Sequence, residues 1–582
     1  MKVALLSNIN MDLMVPRLEK YLDDAGIRGD FHITGFNQYI QEMINPNSTL
    51  NTGEFDAAVL FIDGEELFQN IIYDPLKYKK DDIDRLIDSE IKNISLQIKS
   101  AVNANGKITF FVNNLFIRRP TILGAMDYNA EFTIAGLQDR FNSRVQELKA
   151  SDRVVIIDFA GFVSRYGYEM VYDNRLWHIG RIKFSSQGLK SLSELYCSYM
   201  QAYLGKSKKV LVLDLDNTLW GGVIGEDGIN GIKLGNEGIG RAYHDFQKLI
   251  RVLKHKGILL CICSKNNLTD VREVFEKNEF MELKEDDFVA LKINWENKIK
   301  NIKDIAAELN LGTDSFVFID DNPFEREMVK SEIPQVIVPD FPEDPVNLSR
   351  WFIDLSFKYF NNVIITNEDK LRTEIYHADS NRKKMEGKAA TLEDFYESLD
   401  MRAVIRIDSR DDFKRIAQLT QRTNQFNLTT RRYSENEALA FMNSKDWMVL
   451  SLELNDRFGP NGIIGVMIVK IEGQNCYIDT FLLSCRVIGR TVEHFFIHYL
   501  IEMLRKRAIE MVIGEYIPSH KNSAAKYLYK KNNFKLLGKN KNDSESWVFN
   551  IAEDSLEKNE WIQIDNSFCS DAGENKWTSA MN

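Results

Sequence analysis

Cysteine is scarce in this chain, and its distribution excludes two kinds of protein. Six cysteines occur among 582 residues, and no two of them form a C-x-x-C pair. A zinc site of common spacing and a disulfide-rich secreted scaffold are therefore excluded, and a reducing, cytoplasmic compartment is expected. The six are Cys197, Cys261, Cys263, Cys476, Cys485 and Cys569.

Long apolar runs are absent as well. The opening sequence MKVALLSNIN turns polar after a few residues, too early for the apolar centre of a signal peptide. No stretch approaches the roughly 18 apolar residues that a membrane-spanning helix needs. We therefore expect no membrane partner.

Positive charge is in deficit. Lys and Arg number 74 against 85 Asp and Glu, which gives a net charge of −11. This deficit argues against nucleic acid as the main partner, but it leaves room for a local basic pocket that binds a phosphorylated small molecule. Hydrophobic residues make up 44% of the chain, enough for several cores of a globular protein.

Two α/β domains are predicted first. In residues 1–205 the runs VALL, AAVLFID, ITFFV and VVIID alternate with helical patterns such as 81–103, where apolar residues recur near every 3.6 positions. In residues 206–365 the runs VLVLDLD, GILLCICSKN, SFVFIDDNP and VIVPD do the same. Strands that alternate with helices predict doubly wound parallel sheets.

The rest of the chain follows a different pattern. Residues 366–400 are highly charged and are interpreted as a solvated helical linker. Residues 401–550 begin with helices and continue with successive strands separated by Gly or Asn turns, which predicts a mainly antiparallel α+β domain. Residues 551–582 are interpreted as a polar tail.

Charged and polar residues end three of the predicted strands. Asp214 and Asp216 follow the first strand of the second domain, Ser264 ends the next, and Asp320 and Asp321 end a third. Ligands of open α/β sheets bind beyond the carboxyl ends of the strands, and Mg²⁺ prefers a few carboxylates together with waters and a phosphate. The alternative is that these acids only cap strands or helices. Their occurrence at three strand ends favours a site.

This order of motifs resembles the haloacid dehalogenase superfamily. The D-x-D-x-T signature contains Asp214, Asp216 and Thr218, and Lys298 begins the helix before the DD strand. The resemblance implies that Asp214 attacks phosphorus and forms an aspartyl phosphate. It also implies that Asp216 protonates the leaving oxygen and then activates water.

The same resemblance implies the other ligands of the site. Ser264 and Lys298 would hold the phosphoryl oxygens. The Mg²⁺ ligands would be Asp214, the backbone carbonyl of Asp216, Asp320 and Asp321, and the resemblance leaves open which residue of the DD pair binds metal directly. Residues 217–264 leave no room for a large inserted cap domain, so an open site that admits a bulky substrate is predicted.

Longer strings narrow the resemblance. DLDNTLWGGVIGEDG, NWENK, FVFIDDNPFERE, QRTNQFNLTTRRY, DRFGPNGIIGV and SCRVIGRTVEHF are similar to the FkbH-like family of subfamily IIIC phosphatases. That resemblance implies transfer of a glyceryl unit from 1,3-bisphosphoglycerate, a phosphorylated three-carbon substrate, to the phosphopantetheine thiol of an acyl carrier protein. Related proteins act in polyketide or surface-glycan biosynthesis.

The third domain resembles the GNAT acyltransferase fold. Arg486, Gly489, Arg490 and Thr491 lie close to the R-x-x-G-x-G/A loop, whose backbone N–H groups bind the phosphates of CoA or phosphopantetheine. Thr491 departs from the usual small residue. Downstream, the family's N-x-x-A-x-x-x-Y segment is matched at Asn522 and Tyr529.

Cys485 lies beside this loop. It is interpreted as a carrier of the glyceryl group in thioester form, because a helix N-terminus and Arg486 or Arg490 would lower the pKa of its thiol. The alternative is a buried, unreactive thiol. A polar cluster in residues 424–432 is interpreted as a substrate or carrier-arm contact, with a capped loop as the alternative.

The first domain loosely resembles SGNH hydrolases, with a flavodoxin-like layout. Ser7 and Asn8 follow its first strand and Asn113 a later one, but the segment from Asp173 to His178 has the wrong spacing for the family's D-x-x-H. A degenerate docking or structural module is therefore predicted.

Three functions remain open from sequence. The first is a Mg²⁺-dependent phosphatase and acyltransferase that makes glyceryl-carrier thioesters. The second is a stand-alone phosphatase of a phosphorylated sugar or small acid, with an N-acyltransferase-like domain. The third is a non-catalytic scaffold, against which the intact phosphatase motifs argue. The sequence does not identify the acyl acceptor, the final product or the oligomeric state.

Overall fold

The chain forms two compact units, Met1–Tyr203 and Leu204–Asn582. The computed structural model describes residues 1–106, 108–118, 123–129, 133–150, 153–363, 367–507, 509–539, 543–556 and 560–565. Cys569 and most of the predicted polar tail lie outside the described residues.

The described residues of the first unit form a five-stranded parallel sheet in the order β2-β1-β3-β4-β5. The order is that of flavodoxin-like sheets, and the four predicted strands are present. The additional strand, β2, escaped prediction because it is a short edge strand with no buried residue. The strands are β1 (Lys2–Ser7), β2 (Asp30–Ile33), β3 (Ala57–Phe61), β4 (Thr109–Asn113) and β5 (Val154–Ile157).

Helices complete the first unit. The longest, α6, buries isoleucines spaced three or four residues apart against the sheet, as its sequence pattern predicts. The helices are α1 (Val15–Asp24), α2 (Tyr39–Ile44), α3 (Thr49–Thr52), α4 (Gly64–Leu67), α5 (Gln69–Tyr73), α6 (Lys80–Ala104), α7 (Ala125–Asn129), α8 (Ile134–Val145), α9 (Phe159–Tyr166), α10 (Tyr168–Val171), α11 (Asn174–Gly180) and α12 (Ser186–Tyr203).

The second unit contains a four-stranded parallel sheet in the order β8-β7-β6-β9, as far as its residues are described. One predicted strand is wrong, since VIVPD contributes only a single bridge between Val317 and Ile337. The fourth position belongs to β8, a half-buried edge strand. The strands are β6 (Val210–Leu213), β7 (Leu259–Ser264), β8 (Phe288–Ile293) and β9 (Phe316–Ile319).

Helices cover both faces of this sheet, which confirms the predicted doubly wound arrangement. Leu211 and Leu213 of β6 pack into one core, and Val210 and Val212 pack into the other. The helices are α13 (Ile224–Gly231), α14 (Gly238–His255), α15 (Leu268–Lys277), α16 (Lys298–Leu309), α17 (Pro323–Glu332), α18 (Leu348–Tyr359), α19 (Asn367–Lys370), α20 (Arg372–Glu386) and α21 (Leu392–Ser398).

The described residues that follow form an eight-stranded mixed sheet in the order β15-β16-β14-β13-β12-β11-β10-β17. Strands β10 to β13 are antiparallel, whereas β13 and β14 are parallel, and this confirms the α+β class. The strands are β10 (Met401–Ile407), β11 (Trp447–Asp456), β12 (Gly459–Glu472), β13 (Asn475–Leu483), β14 (Met511–Tyr516), β15 (Lys535–Lys539), β16 (Glu545–Asn550) and β17 (Ile562–Ile564).

One central helix, α24, packs its apolar face against this sheet. The remaining helices are α22 (Phe413–Arg422), α23 (Glu435–Asn443), α24 (Val492–Arg505) and α25 (Leu528–Lys531). Among the described residues, no helix has both the length and the apolar composition needed to cross a membrane.

Two segments differ from their interpretation. Helix α20, inside the supposed solvated linker, buries Tyr376, Asp379 and Arg382. Its charges are buried because they pair: Arg382 binds Asp379 and, by two hydrogen bonds of 2.7 and 2.8 Å, Asp456. In the polar tail, β17 pairs in parallel with β10.

Candidate active site

The polar strand ends of the second unit meet at one edge of its parallel sheet. Strand β6 lies between β7 and β9, and the carboxyl ends of the three carry Asp214, Ser264 and Asp320 in that order. Because parallel strands end at the same edge, the side chains predicted from three separate motifs converge. Asp214, Ser264 and Asp320 are all buried.

Three carboxylates form a compact cluster at this edge. Oxygens of Asp214, Asp320 and Asp321 all lie within 4.8 Å of one another. The ammonium of Lys298, from the first residue of α16, lies 3.2 Å from Asp214 Oδ1 and donates to Asp320 Oδ2. Three carboxylates against one ammonium leave an excess of two negative charges.

The pKa values express this excess. Burial, and then repulsion by Asp214, raise the pKa values of Asp320 and Asp321 to about 6. Burial opposes the charge of Lys298, but the attraction of Asp214 and Asp320 outweighs it and raises the pKa of the ammonium. The cluster therefore holds its negative charge at an energetic cost that a bound cation would remove.

The donor set fits Mg²⁺. Asp214 Oδ1 is buried and accepts no hydrogen bond, although Lys298 lies nearby. An oxygen of this kind, with two further carboxylates close by, matches the small number of protein oxygens that Mg²⁺ takes. Asp214, Asp320 and Asp321 are the residues that would hold the ion, and both members of the DD pair belong to the cluster.

Asp216 has different surroundings. Its Oδ1 accepts hydrogen bonds from Trp220 Nε1 at 3.0 Å and from the backbone N–H of Ile224 at 3.1 Å. Its Oδ2 accepts from Asn266 Nδ2 at 3.0 Å. These donors fix one carboxylate orientation, and the side chain is not part of the three-carboxylate cluster. That arrangement suits a positioned acid and base, while metal binding by its backbone carbonyl stays a prediction.

Asn266 is a site residue that sequence reasoning missed. The same amide that bonds Asp216 also donates to Ser264 Oγ at 3.1 Å, so it links the predicted acid to the predicted phosphoryl ligand. Asn266 and Asn267 follow one another after β7, and the sequence alone does not distinguish their roles. Only the fold shows that the first of them lies inside the site.

A second missed residue shapes the DD turn. Arg326, in the first turns of α17, donates to the carbonyl oxygens of Asp320 and Asp321 at 2.9 and 2.6 Å. The carbonyls are thereby held while both carboxylates stay available. The sequence did not predict this role, because an arginine five or six residues after the DD pair could equally well face solvent.

The edge of the sheet is not covered by an inserted domain. The chain between β6 and β7 contains only helices α13 and α14, which agrees with the prediction that no large cap domain is inserted there. Trp295, in the loop after β8, and Phe324, in the first turn of α17, are 72% and 69% accessible. A large substrate therefore meets an open entrance with apolar groups.

Cys485 lies in a separate cavity of about 370 Å³. This cavity is at the opposite end of the parallel sheet, since Lys209, Leu259 and Ser315 directly precede or begin β6, β7 and β9 and all line it. Cys485 is half-buried, and its carbonyl accepts a hydrogen bond of 3.2 Å from Asn310. The predicted phosphatase residues and the predicted thioester residue are therefore not brought together.

The residues predicted to hold an acyl carrier are divided among different surroundings. Cys485 and Arg486 line both this cavity and an adjoining one of about 330 Å³, and Gly489 and Arg490 line only the second. Arg490 forms an ion pair of 3.0 Å with Asp379. Gly489 and Thr491 both adopt positive φ angles, 85° and 61°, so the loop bends before α24 begins.

Asn522 and Tyr529 are buried inside the last domain and are not exposed to a ligand. Asn522 donates to the carbonyl oxygens of Asn427 and Ile517, both at 2.9 Å. Tyr529 is 1% exposed and packs beside Gly514. The structure thus gives both residues a role in holding the fold together.

The polar cluster of residues 424–432 lies largely in the gap between β13 and β14. These strands pair along their first residues and separate after Ile478 and Gly514. Beyond that point, the backbone of Phe426 and Leu428 forms hydrogen bonds with β13 instead. Leu428 also accepts a hydrogen bond from the backbone of Ile517. Most of the segment therefore matches the capped-loop alternative, while Asn424 and Gln425 at its start line the cavity that contains Cys485.

The first unit does not assemble a hydrolase site among its described residues. Ser7 Oγ accepts a hydrogen bond from the backbone of Ile9, and His178 lies on the exposed helix α11. Asn8 and Asn113 bond to the backbone of the β3 end. All three polar residues thus support the sheet edge.

That edge also contains a buried ionic group. Lys183 Nζ bonds to Asp63 and lies 2.9 Å from Glu65, and Arg118 makes two hydrogen bonds of 2.8 Å to Glu65. Two carboxylates face two cations.

Comparison with solved structures identifies a relative of the first part of the chain. No protein-family model and no curated protein match the chain. Among solved structures, it is similar to the N-terminal part of a Bacteroides fragilis protein that contains a phosphatase domain and was crystallised in complex with Mg, with 31% identity and a TM-score of 0.58. The match covers 63% of this chain and 95% of that one.

Weaker similarities involve acetyltransferases. The ribosomal-protein-S18-alanine N-acetyltransferase of Escherichia coli is 14% identical, with a TM-score of 0.21 and coverage of 27% of this chain and 97% of that one. An N-acetyltransferase of Thermoplasma acidophilum in complex with coenzyme A is 16% identical, with a TM-score of 0.18 and coverage of 20% and 72%. Scores this low do not establish a relationship. The first similarity does, and the chain belongs to the family of the Bacteroides fragilis phosphatase-domain protein.

Proposed function

We propose that the chain is a Mg²⁺-dependent phosphatase of the haloacid dehalogenase superfamily, FkbH-like in type, that works together with an acyl-transfer function in its last domain. The observation that carries the proposal is the cluster formed by the buried Asp214 and Asp320 and the half-buried Asp321 beside Lys298. A cluster with this excess of negative charge, at the carboxyl edge of a parallel sheet, suits a metal and a phosphoryl group.

In the first half-reaction, a carboxylate oxygen of Asp214 attacks the substrate phosphorus. The bond between phosphorus and the leaving oxygen breaks, and Asp216 gives its proton to that oxygen. Lys298 and Ser264 hold the phosphoryl oxygens. Bound Mg²⁺ supplies positive charge that offsets the carboxylates and the phosphoryl group.

In the second half-reaction, Asp216 is a carboxylate and takes a proton from water. The water oxygen forms a bond to phosphorus as the bond to Asp214 breaks, and inorganic phosphate leaves. The three hydrogen-bond donors on Asp216 hold its carboxylate in one orientation through both steps.

The substrate that best fits the sequence resemblance is 1,3-bisphosphoglycerate, and the acceptor is the phosphopantetheine thiol of an acyl carrier protein. Cys485 would attack the acyl carbon, the acyl phosphate would leave as inorganic phosphate, and the carrier thiol would then take the 3-phosphoglyceryl group from the cysteine. The phosphatase site would remove the remaining phosphate ester.

The geometry constrains this sequence of events. Lys209, beside Cys485, and Asp214 lie at opposite ends of β6, and five residues of extended chain span about 17 Å. The two reactions therefore need separate pockets, and a long, mobile carrier arm would move the glyceryl group between them. The open, cap-free edge of the phosphatase site admits such an arm.

A second candidate is a stand-alone phosphatase of a phosphorylated sugar or small acid. The separation of Asp214 from Cys485 favours it, as do the buried positions of Asn522 and Tyr529. In that case the last domain would bind a ligand without passing an acyl group to the phosphatase site.

One experiment separates the two candidates. The protein is incubated with Mg²⁺ and enzymatically generated 1,3-bisphosphoglycerate, with and without a phosphopantetheinylated carrier protein, and intact masses are recorded. The first candidate predicts a glyceryl adduct on the protein or on the carrier, and Cys485→Ala should lose the protein-bound adduct. Phosphate release without any adduct would leave only the stand-alone phosphatase.

A further inference from the structure

The cavity beside Cys485 has an unusual charge. Of the described residues that line it, six are cationic and one, Asp314, is acidic. The six are Lys209, Arg372, Arg415, Arg422, Arg486 and Lys521. In a chain with a net charge of −11, so many cations around one cavity form a local exception.

Part of this charge is compensated inside the protein. Asp314 pairs with Lys521 at 2.8 Å. Asp369, which does not line the cavity, bonds to Arg372 and lies 3.2 Å from Arg422. These ion pairs hold Lys521, Arg372 and Arg422 in place. The two carboxylates do not balance the six cations, so the cavity keeps an excess of positive charge.

Two cations have no such compensation. Within the described part of the chain, the ammonium of Lys209 makes no hydrogen bond or ion pair. Arg486 donates from Nε to Ser484 Oγ at 3.1 Å, and among the described residues its two terminal nitrogens make no hydrogen bond. Both residues line the cavity together with the Cys485 thiol.

The electrostatics of Lys209 indicate the same excess. Burial, together with the positive charges of Arg422 and Arg372, lowers the pKa of its ammonium to about 8, against the opposite influence of Cys485 and Asp314. A buried cation next to other cations favours a bound anion, because the anion restores its charged form.

We propose that this cavity is a binding site for the phosphate group of a small phosphorylated ligand, and that Lys209 and Arg486 hold that group beside the Cys485 thiol. A volume of about 370 Å³ suits a small molecule. The proposal concerns binding of a phosphate. It rests on the proposed function only in explaining why a phosphorylated ligand would bind beside this thiol.

Two sources of the phosphate share this chemistry. One is the phosphate ester of a three-carbon acid, whose acyl group would then lie near Cys485. The other is the phosphate at the end of a pantetheine arm. Both place a phosphate anion in the cavity, and the experiment below separates them.

The test compares two alkylating reagents on the full-length protein. Iodoacetate is an anion and iodoacetamide is neutral, and each forms a carbon–sulfur bond with the thiolate while iodide leaves. An anion site predicts that the iodoacetate rate, divided by the iodoacetamide rate, is at least tenfold higher for Cys485 than for a small free thiol in the same buffer. Mass analysis of peptides measures the alkylation of Cys485 separately from that of Cys569. The other four cysteines are buried and are therefore expected to react slowly.

Substitutions make the test specific. Lys209→Gln and Arg486→Gln should each lower the ratio severalfold, whereas a change in thiol acidity alone would alter both rates and leave their ratio unchanged. Lys208→Gln is the matched control, since Lys208 neighbours Lys209 but bonds to the carbonyl of Asp314 and does not line the cavity. Thermal denaturation midpoints identify variants that fail to fold.

Protection identifies the ligand class. Millimolar 3-phosphoglycerate should slow alkylation more than glycerate does if a three-carbon phosphate is bound, and 4′-phosphopantetheine should slow it more than pantetheine if the carrier arm is bound. Asp214→Asn should leave these results unchanged, so failure of the phosphatase mechanism and failure of this site are separate outcomes.

Three outcomes would overturn the proposal. They are a reagent ratio no higher than that of the free thiol, equal ratios in wild type, Lys209→Gln and Arg486→Gln, and the absence of protection by either phosphate ester. A Cys485 that reacts with neither reagent would contradict it too, because the cavity would then be closed at that wall.

Discussion

A buried lysine meets buried carboxylates at the carboxyl edge of a parallel sheet in each unit of this molecule. In the first unit Lys183 contacts Asp63 and Glu65, and Arg118 neutralises the second carboxylate. In the second unit Lys298 contacts Asp214 and Asp320, with Asp321 close by. The sequence motifs at the two edges look alike, but the first group is balanced and the second carries two uncompensated negative charges.

Other features do not distinguish the two edges. Each leaves one buried carboxylate oxygen without a hydrogen bond, Asp63 Oδ2 and Asp214 Oδ1. Burial raises the pKa values of Asp63 and Asp320 alike. The next contribution differs in sign, since Lys183 lowers the pKa of Asp63 whereas Asp214 raises that of Asp320. The balance of charge around the carboxylates, rather than their burial, marks the metal site.

The largest expected effect is at the unbalanced edge. Asp214→Asn removes the proposed nucleophile and one negative charge, and phosphatase activity should fall by a factor on the order of 10⁴ to 10⁶, the range seen when a nucleophile is removed. Release of phosphate from para-nitrophenyl phosphate or 3-phosphoglycerate measures it. Full activity in this variant would exclude Asp214 as the nucleophile.

The next effect is at the balanced edge and concerns stability. Lys183→Met leaves Asp63 without its cation, and removal of one partner of a buried ion pair costs about 3–5 kcal/mol of unfolding free energy. Urea denaturation measures the loss, and hydrogen exchange of the β3 and α4 peptides assigns it to the first unit. The added substitution Asp63→Asn should recover part of it.

This comparison also has a contradicting outcome. Activity per folded molecule should be unchanged in Lys183→Met, because the pair is not part of the phosphatase site. Loss of activity in a fully folded variant would show that the two edges are not independent.

A smaller effect depends on pH. The pKa values of Asp320 and Asp321 are about 6 in the folded, metal-free state, above the usual value near 4 of an unfolded chain. The folded state therefore binds more protons between pH 4 and 6, and these two groups contribute less stability as pH rises through that window. Mg²⁺ competes with the same protons, so its affinity should weaken by about 10- to 100-fold from pH 7 to pH 5.

Calorimetric titration with Mg²⁺ at several pH values checks this dependence. The double variant Asp320→Asn/Asp321→Asn serves as the control, because it lacks the titrating groups and should bind the ion weakly at every pH. An affinity that does not change between pH 5 and 7 would contradict the assignment of these two carboxylates.

The smallest effect is expected at Ser7. Ser7→Ala removes one hydrogen bond to the backbone of Ile9, worth about 1 kcal/mol or less, and should leave the hydrolysis of phosphate esters and carboxylic esters unchanged. Assays with para-nitrophenyl acetate check the second point. Loss of an esterase activity in this variant would restore the hydrolase interpretation of the first unit.

The part of the candidate site that is formed by residues at the ends of strands could be predicted from the sequence. Asp214, Ser264 and Asp320 were placed together because each follows an apolar run, and parallel strands bring such ends to one edge. The same reasoning failed for VIVPD, since an apolar run of five residues does not show whether it joins the sheet or packs beside it. Strand β8, at the opposite edge beside β7, is the fourth strand of the sheet.

Contacts between distant parts of the chain were not predictable. Lys209 directly precedes β6, and its role depends on Cys485 being folded against the far edge of the same sheet. Asp379 and Arg382 looked solvated in a charged segment, but Asp456, more than 70 residues later, allows Arg382 to be buried. Pairwise charge compensation of this kind depends on the tertiary fold, which local patterns do not contain.

The short strand β6 has a consequence for how this family can vary. Its four residues alternate between two cores, so a side chain on one face can change without disturbing the other. An inserted or deleted residue would exchange the faces and also displace either Lys209 or Asp214 from its edge. The strand is a spacer of fixed length between a site that attracts cations and one that attracts anions. Relatives that keep both sites should therefore differ in the composition of this strand but not in its number of residues.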